Sequence, residues 1–196
     1  MDYAEKRREQ GRQTEEAILK ATIALSRESS FDKVSIRDIC QRAGITTGAF
    51  YHHFPSKEAL LARGFAPLDA WMEAHLAEHE DAAPLERLWI LLSGYAEFME
   101  NMGPGLAGRY YEHRLSSPSA ATLDPSRYTL RAMQQCLTDI AAAGELAEGI
   151  TPEWVADFLF RHFRGIIIDW VLHQGSYQLL PKLEQDYYFF QRVLEV

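Results

Sequence analysis

Between Ser35 and Phe54 the run SIRDICQRAGITTGAFYHHF packs two helix starts and one helix stop into a very short span. Ser35 and Asp38 have the spacing of a capping box in its aspartate form, and Val34 can staple onto Ile39. Further on, Gly44 suits a left-handed helix C-cap, and the threonines at 46 and 47 open a second short helix that reaches about His53. This is the layout of a helix-turn-helix. Ile36, Ile39, Cys40, Ala43, Ile45, Phe50 and Phe54 supply the apolar faces that would lock the pair against a preceding helix. That first helix is expected to start at Thr14 as N-cap, with Glu15 and Glu16 at the positive end of its dipole, and to end near Ser29. Its stripe is Ile18, Ala21, Thr22 and Leu25.

The rest of the chain keeps the three- and four-residue spacing of apolar positions, with few β-branched alternations. After Pro55, a fourth helix is predicted from SKEALLARGF past Trp71 toward Glu80. Further starts fall near Pro84, Leu106, Pro125, Thr151 and Tyr177, with Asp124-Pro125 and Thr151-Pro152 reading as N-cap plus N1 proline. Ser, Pro and Thr between Leu115 and Arg127 read as a loop. The fold class is therefore all-α, with about nine helices. A helix-turn-helix domain over residues 1–60 would precede a second helical domain over 61–196. At 196 residues the chain can form one compact domain or two small ones, which excludes a large multidomain enzyme. The charged first thirteen residues and the lack of any run near 18 apolar residues predict a soluble cytoplasmic protein. Cys40 and Cys136 lack CxxC spacing and read as small buried apolar residues, a redox-sensing thiol being the lesser alternative.

A net charge of -8 argues at first against a nucleic-acid partner. The charge is unevenly spread, however. Residues 1–64 hold eleven basic and nine acidic groups, a balance of +2, whereas the remaining 132 residues hold nine and nineteen, a balance of -10. Such asymmetry suggests two jobs, and only the first part could tolerate a polyphosphate. On the second short helix the positions outside the core are Thr47, Gly48, Ala49, Tyr51, His52 and His53, a face without a carboxylate. A helix meant for a groove lined with phosphates needs that absence.

The stretch from Thr14 to about Phe65, including AGITTGAFYHHFPSKEALL, resembles the TetR family of bacterial transcriptional regulators; Gly44, Phe50, Tyr51, Phe54, Lys57, Leu60 and Leu61 carry the likeness. FRGIIIDWVLHQGSYQLL is similar, more loosely, to the end of that family's dimerisation helix. The resemblance implies a DNA-binding set: Thr46 as N-cap of the recognition helix, Thr47, Gly48 and Ala49 at base edges, and Tyr51 and His52 on phosphates or a thymine methyl. His53 would lie near the DNA backbone and Lys57 would bind a phosphate. Gly48 allows close approach, and Ala49 offers only a methyl contact. Arg37 is the candidate for a guanine contact, and Ser35, with Tyr51 and Lys57, would set register. Lys6, Arg7, Arg8 and Arg12 ahead of the first helix read either as an arm that orders on DNA or as a solvated tail.

The resemblance also implies an effector cavity among the later helices. Trp89, Phe98, Met99, Met102, Tyr110, Met133 and Phe163 are its candidate walls, and Arg109, His113 and His162 could orient an effector. For each, ordinary core or a surface ion pair is the competing reading. Phe158, Ile166, Ile167, Trp170, Tyr187 and Phe190 are the candidate dimer face, with intramolecular core as the alternative. Two other motifs carry less. Gly103, Gly105 and Gly108 spell a dinucleotide fingerprint, but they follow a helical pattern and read as helix breakers. His75, Glu78 and His79 match an inverted zinc-protease pattern on what reads as a solvated helix face, an adventitious or sensory metal shared by the two histidines being the lesser alternative. No cofactor and no metal are expected. The reading is a homodimeric repressor that binds a double-stranded pseudopalindromic operator and is released by a small molecule, with no membrane partner. A helical protein-interaction module and a small α-helical enzyme are the alternatives.

Overall fold

Ten α-helices and one 3-10 turn make up the regular structure of the described residues, 3–63, 66–116 and 126–194 of a computed structural model. The helices are α1 (Tyr3–Glu28), α2 (Ile36–Ala43), α3 (Thr47–His53), α4 (Ala59–Ala62), α5 (Ala66–Ala77), α6 (Pro84–Met102), α7 (Pro104–Ser116), α8 (Tyr128–Ala142), α9 (Pro152–Leu172) and α10 (Leu179–Leu194). The 3-10 turn spans Phe31–Lys33 between α1 and α2. Among the described residues no helix is long and apolar enough to cross a membrane. The chain divides into two compact units, residues 1–67 with 101–118, and residues 68–100 with 119–196.

The first unit is built around α1. Ile18 and Ala21 from α1, Phe31, Ile39, Phe50, Phe54, Leu60 and Leu61 are buried, and burial of the larger of these side chains stabilises by about 1.5–3 kcal/mol each. Helix α1 starts at Tyr3, eleven residues before the expected Thr14. The Thr14 hydroxyl donates to the Gln10 carbonyl at 2.8 Å, the habit of a threonine inside a helix and not at its cap. Residues 3–13 are mostly good helix formers, and Arg12 pairs with both Glu9 and Glu16 one turn to either side. The boundary near residue 60 shifts as well. Helix α7 packs on α1, α4 and the 3-10 turn, so residues 101–118 join the first unit instead of the second. Gly103, at φ 80°, lets the chain stop α6 and begin α7 at Pro104, while Gly105 and Gly108 lie inside α7.

The single fourth helix of the sequence reading is two helices, α4 and α5, with residues 64 and 65 outside the described set. Pro67 has no N–H for the carbonyl of Arg63, so a continuous helix would lack that bond. The second unit seals Leu68, Met72, Leu88, Leu91, Leu92, Met99, Leu137 and Ile140 among α5, α6 and α8. Helix α8 begins at Tyr128; the expected Asp124-Pro125 cap and most of the Leu115–Arg127 loop lie outside the described residues. Its cap position, Arg127, makes no capping bond with its own side chain. Asp69 of α5 substitutes: its carboxylate accepts from the Thr129 amide at 3.2 Å and hydroxyl at 2.6 Å, and from the Arg127 fork at 2.8 and 3.0 Å. Helix α9 opens as expected, on a Thr151 side-chain cap followed by Pro152.

Candidate nucleic-acid interface

Helix α2 is fixed at both ends. The Ser35 hydroxyl accepts from the Asp38 amide at 3.1 Å while Asp38 accepts from the Ser35 amide at 3.0 Å, the full capping box. The Ser35 hydroxyl, donating to the Asp38 carboxylate at 2.6 Å, and then the Ser35 amide hold that carboxyl below its ordinary pKa. Gly44 closes the helix at φ 68°, a left-handed conformation that a side chain would strain. Arg42 reaches Glu28 at the end of α1 with a two-pronged pair at 2.9–3.0 Å. Helix α3 then starts on Thr46, whose hydroxyl accepts from the Ala49 amide at 3.1 Å. Phe50 and Phe54 pin its inner side, both buried and 5.8 Å apart between ring centres.

What α3 leaves outside is Thr47, Gly48, Tyr51 and His52, with Ala49 half-buried at the edge. Tyr51 is 53% exposed and stands edge-on against Phe50. No carboxylate lies on α3. Beside Tyr51 an open groove of about 440 Å³ runs between Lys33, Ser35 and Ile36 on one side and Pro55, Ser56 and Lys57 on the other. The N-terminus of α2 borders this groove, its Ser35 and Asp38 amides taken up by the capping box, and its positive dipole end favours an anion there. Two carboxylates line the groove: Asp32 is paired with Arg109 at 3.0 Å, and Glu58 is exposed. Arg37 is exposed in the first turn of α2. The arrangement offers donors, a small-residue helix tip and an aromatic hydroxyl on one surface.

Three of the expected contacts are otherwise engaged. Lys57 Nζ donates to the carbonyls of Phe31, Asp32 and Val34 at 2.9, 3.2 and 3.0 Å and sits 4.7 Å from the Phe31 ring centre. All three ammonium hydrogens are thereby used to cap the 3-10 turn. His53 turns from the recognition face toward α1, its Nδ1 3.5 Å from Glu15, which also pairs with Arg63. The Ser35 hydroxyl is held in the capping box. Reading residues singly along the sequence placed these side chains outward, because nothing in a linear pattern shows that a lysine 23 residues on from Val34 will meet its carbonyl. Both cysteines are buried, and burial pushes each thiol pKa up, with an opposing hydrogen bond between Cys40 and Thr47.

Residues 18–63 match the sequence pattern of bacterial regulatory proteins of the tetR family. The HTH-type transcriptional repressor KstR2 of Mycobacterium tuberculosis is 39% identical over 89 residues, 43% of this chain and 43% of KstR2. The repressor DhaR of Mycobacterium sp. strain GP1 is 25% identical over 147 residues, 72% of this chain and 74% of DhaR. A solved structure concerned with control of antibiotic production by bacterial hormones superposes with a TM-score of 0.71 at 26% identity, covering 93% of this chain and 98% of that one. The likeness to the tetR family is carried by residues 18–63. The chain's match spans less than half the length of KstR2 and about three quarters of DhaR.

The expected effector residues divide between the two units. In the first, Met102 and Tyr110 are buried, Arg114 donates to the Tyr110 hydroxyl, and Arg109 is taken up by Asp32 and Glu112. His113 is half-buried, with Nδ1 sealed and lacking a partner among the described residues. In the second, Met99 and Met133 are buried, Phe98 lies 6.3 Å from Trp71, and Trp89 lies 5.0 Å from Tyr187. Phe163 lines an apolar void of about 10 Å³ with Tyr95, Ile166, Ile167, Leu179 and Leu183, room for about one water. His162 pairs with Asp186 at 3.1 Å.

The expected dimer face needs correcting. Ile167, Trp170 and Tyr187 are buried inside their own unit, where Trp170 Nε1 donates to the Tyr177 carbonyl and the Tyr187 hydroxyl to that of Leu85. Ile166 lines the small void. Of the expected face Phe158 and Phe190 stay half-buried, and the outward face of α9 carries Trp154, Phe158, Arg161, Gly165, Ile168 and Leu172, spaced alternately by four and three residues. Trp154 stacks on Phe158, Phe158 meets Phe190 edge-on at 5.2 Å, and Phe189 beside it is 65% exposed. Reading α9 with a 3.5-residue period through Gly165 would have found this stripe.

Proposed function

We propose that the chain is a homodimeric transcriptional repressor that binds a pseudopalindromic operator through α3 and lets go of it when a small molecule binds. The observation that carries the reading is the outer face of α3, where Thr47, Gly48, Tyr51 and His52 stand exposed on a helix that carries no acid, beside the open groove at the α2 N-terminus. A Cβ on Gly48 would meet only the Thr46 hydroxyl, at 3.9 Å, so the backbone can approach a base edge. Thr47 and Arg37 supply base-reading hydrogen bonds, Tyr51 and the α2 N-terminus hold phosphates, and Lys57 positions the 3-10 turn that presents α2. The repressor names of KstR2 and DhaR support the sign of the regulation.

Dimerisation through the outward stripe of α9 and the adjoining aromatics of α10 follows from the exposure of Trp154, Leu172 and Phe189. Two copies related by a two-fold axis would set two α3 helices about 34 Å apart, one turn of DNA. An effector that prefers another spacing weakens operator binding, and a coupling of about 1–3 kcal/mol suffices. Such a regulator works where the chromosome is, in the cytoplasm.

The test is enrichment of duplexes from a randomised pool by the purified chain, followed by gel shift with Tyr51→Ala and sedimentation of both proteins. Enrichment of a two-fold symmetric site, lost in Tyr51→Ala while the sedimenting dimer persists, is expected. A monomeric protein, or one that enriches nothing, refutes the reading.

A further inference from the structure

Residues 3–10 form a basic extension of α1, and Gly11 marks where α1 passes beside α3. A Cβ at Gly11 would lie 3.9 Å from His53 Cε1, so the face of α1 that carries Gly11 is the one beside the last turn of α3. Glu15, one turn on, meets His53 from the same face. One turn in the other direction along that face lie Arg7 and Arg8, at i−4 and i−3 from Gly11. They stand about 4.5–6 Å further along the α1 axis, a step near the rise of two nucleotides. Helical side chains lean toward the N-terminus, which carries the two guanidinium groups further beyond α3.

Charge points the same way. Arg12 is held by Glu9 and Glu16, whereas Arg7 and Arg8 are exposed and make no ion pair among the described residues. Cations in the first turns of a helix oppose its dipole, an arrangement that costs the free protein stability and is relieved by an anion. The extension is continuous helix with the rest of α1, so these groups are held in place without a further backbone ordering cost.

On the reading that α3 enters an operator, we infer that Arg7 and Arg8 form a second, rigid phosphate site that contacts the DNA backbone flanking each half-site beyond the end of α3. The contact is to phosphate and adds affinity equally at all sequences.

The experiment measures binding of a duplex enriched by the wild-type chain across 50 to 200 mM salt. For Arg7→Gln/Arg8→Gln the salt slope should fall by about 1.8 per protomer, so the variant loses about 12-fold less affinity per protomer over that range. Its discrimination between enriched and scrambled duplex should be unchanged. Gln10→Pro keeps every charge but ends α1 at residue 10, where proline fits an N1 position; it should lose the same share of the slope. An unaltered slope in the double variant overturns the contact. Loss in the double variant with retention in Gln10→Pro overturns the rigid site in favour of a flexible tail. If the wild-type chain enriches no duplex, the operator reading fails and this inference with it.

Discussion

Replacing Lys57 separates a cation that holds the fold from one that holds DNA. Its ammonium caps three carbonyls, of which those of Phe31 and Val34 are reached by partly buried bonds and that of Asp32 by an exposed one. Hydrogen bonds to a charged group contribute about 1.5–3 kcal/mol when shielded and little when solvated. Release of the lysine side chain returns up to about 2 kcal/mol of rotamer entropy. For Lys57→Met, which keeps most of the stem over Phe31, the balance is a loss of about 2 kcal/mol. Lys57→Arg should also lose stability, since a planar guanidinium cannot direct three donors at three separate carbonyls. Urea unfolding followed by far-UV dichroism checks the first unit, which has helices and no tryptophan. Operator binding measured alongside should weaken because the 3-10 turn no longer presents α2, while the salt slope stays within about 0.3 of wild type. Unchanged unfolding with a slope lowered by about 0.9 would refute the argument and return Lys57 to the phosphates.

Three further outcomes test other parts of the structure. Asp69→Ala removes the carboxylate paired with Arg127, both side chains being less than one-fifth exposed, and uncaps α8; a loss of about 3 kcal/mol in urea unfolding is expected, with Asp69→Asn recovering part of it. Hydrogen bonds from Ser35 depress the Asp38 pKa, so the cap contributes above the unfolded value near about 4 and is lost as pH falls through the lower folded value. Asp38→Asn should therefore flatten the acid limb of the pH–stability curve below about pH 4, and an unchanged limb counts against the cap. Gly165 sits inside α9 with nothing within 4 Å of where a Cβ would stand, so Gly165→Ala should raise intrinsic helix stability by up to about 1 kcal/mol yet weaken a dimer that crosses there; sedimentation equilibrium showing a tighter dimer would rule out that crossing.

Local signals in the sequence were most informative where the physics is local. The capping box of Ser35 and Asp38, the left-handed Gly44 and the Thr46 and Thr151 caps each depend on groups three or four residues apart, and all stand where the spacing puts them. Thr14 misled because a threonine before two glutamates satisfies the N-cap pattern equally well inside a longer helix, where its hydroxyl bonds back to Gln10. The destinations of Lys57, Arg109 and His53 were illegible for another reason. Each side chain closes a contact across 23 to 77 residues of sequence, and composition carries no record of that distance.

Helix α9 shows why the proposed dimer face was the least legible part. Its inward residues Val155, Leu159, Phe163, Ile167 and Trp170 and its outward residues Trp154, Phe158, Ile168 and Leu172 are equally apolar. A helix hydrophobic on two sides has no phase that periodicity alone can assign to core or partner. Two breaks in the apolar pattern decide it: Arg161 and Gly165 both fall on the outward face, where a guanidinium keeps access to water and a missing side chain leaves room for an approaching helix. The same reasoning applies to the basic first unit. Its +2 balance says little by itself, because Arg12, Arg42, Arg63 and Lys57 are engaged in contacts within the unit. The cations left around the acid-free face of α3, Arg7, Arg8, Lys33 and Arg37, are the ones whose loss a salt titration should register.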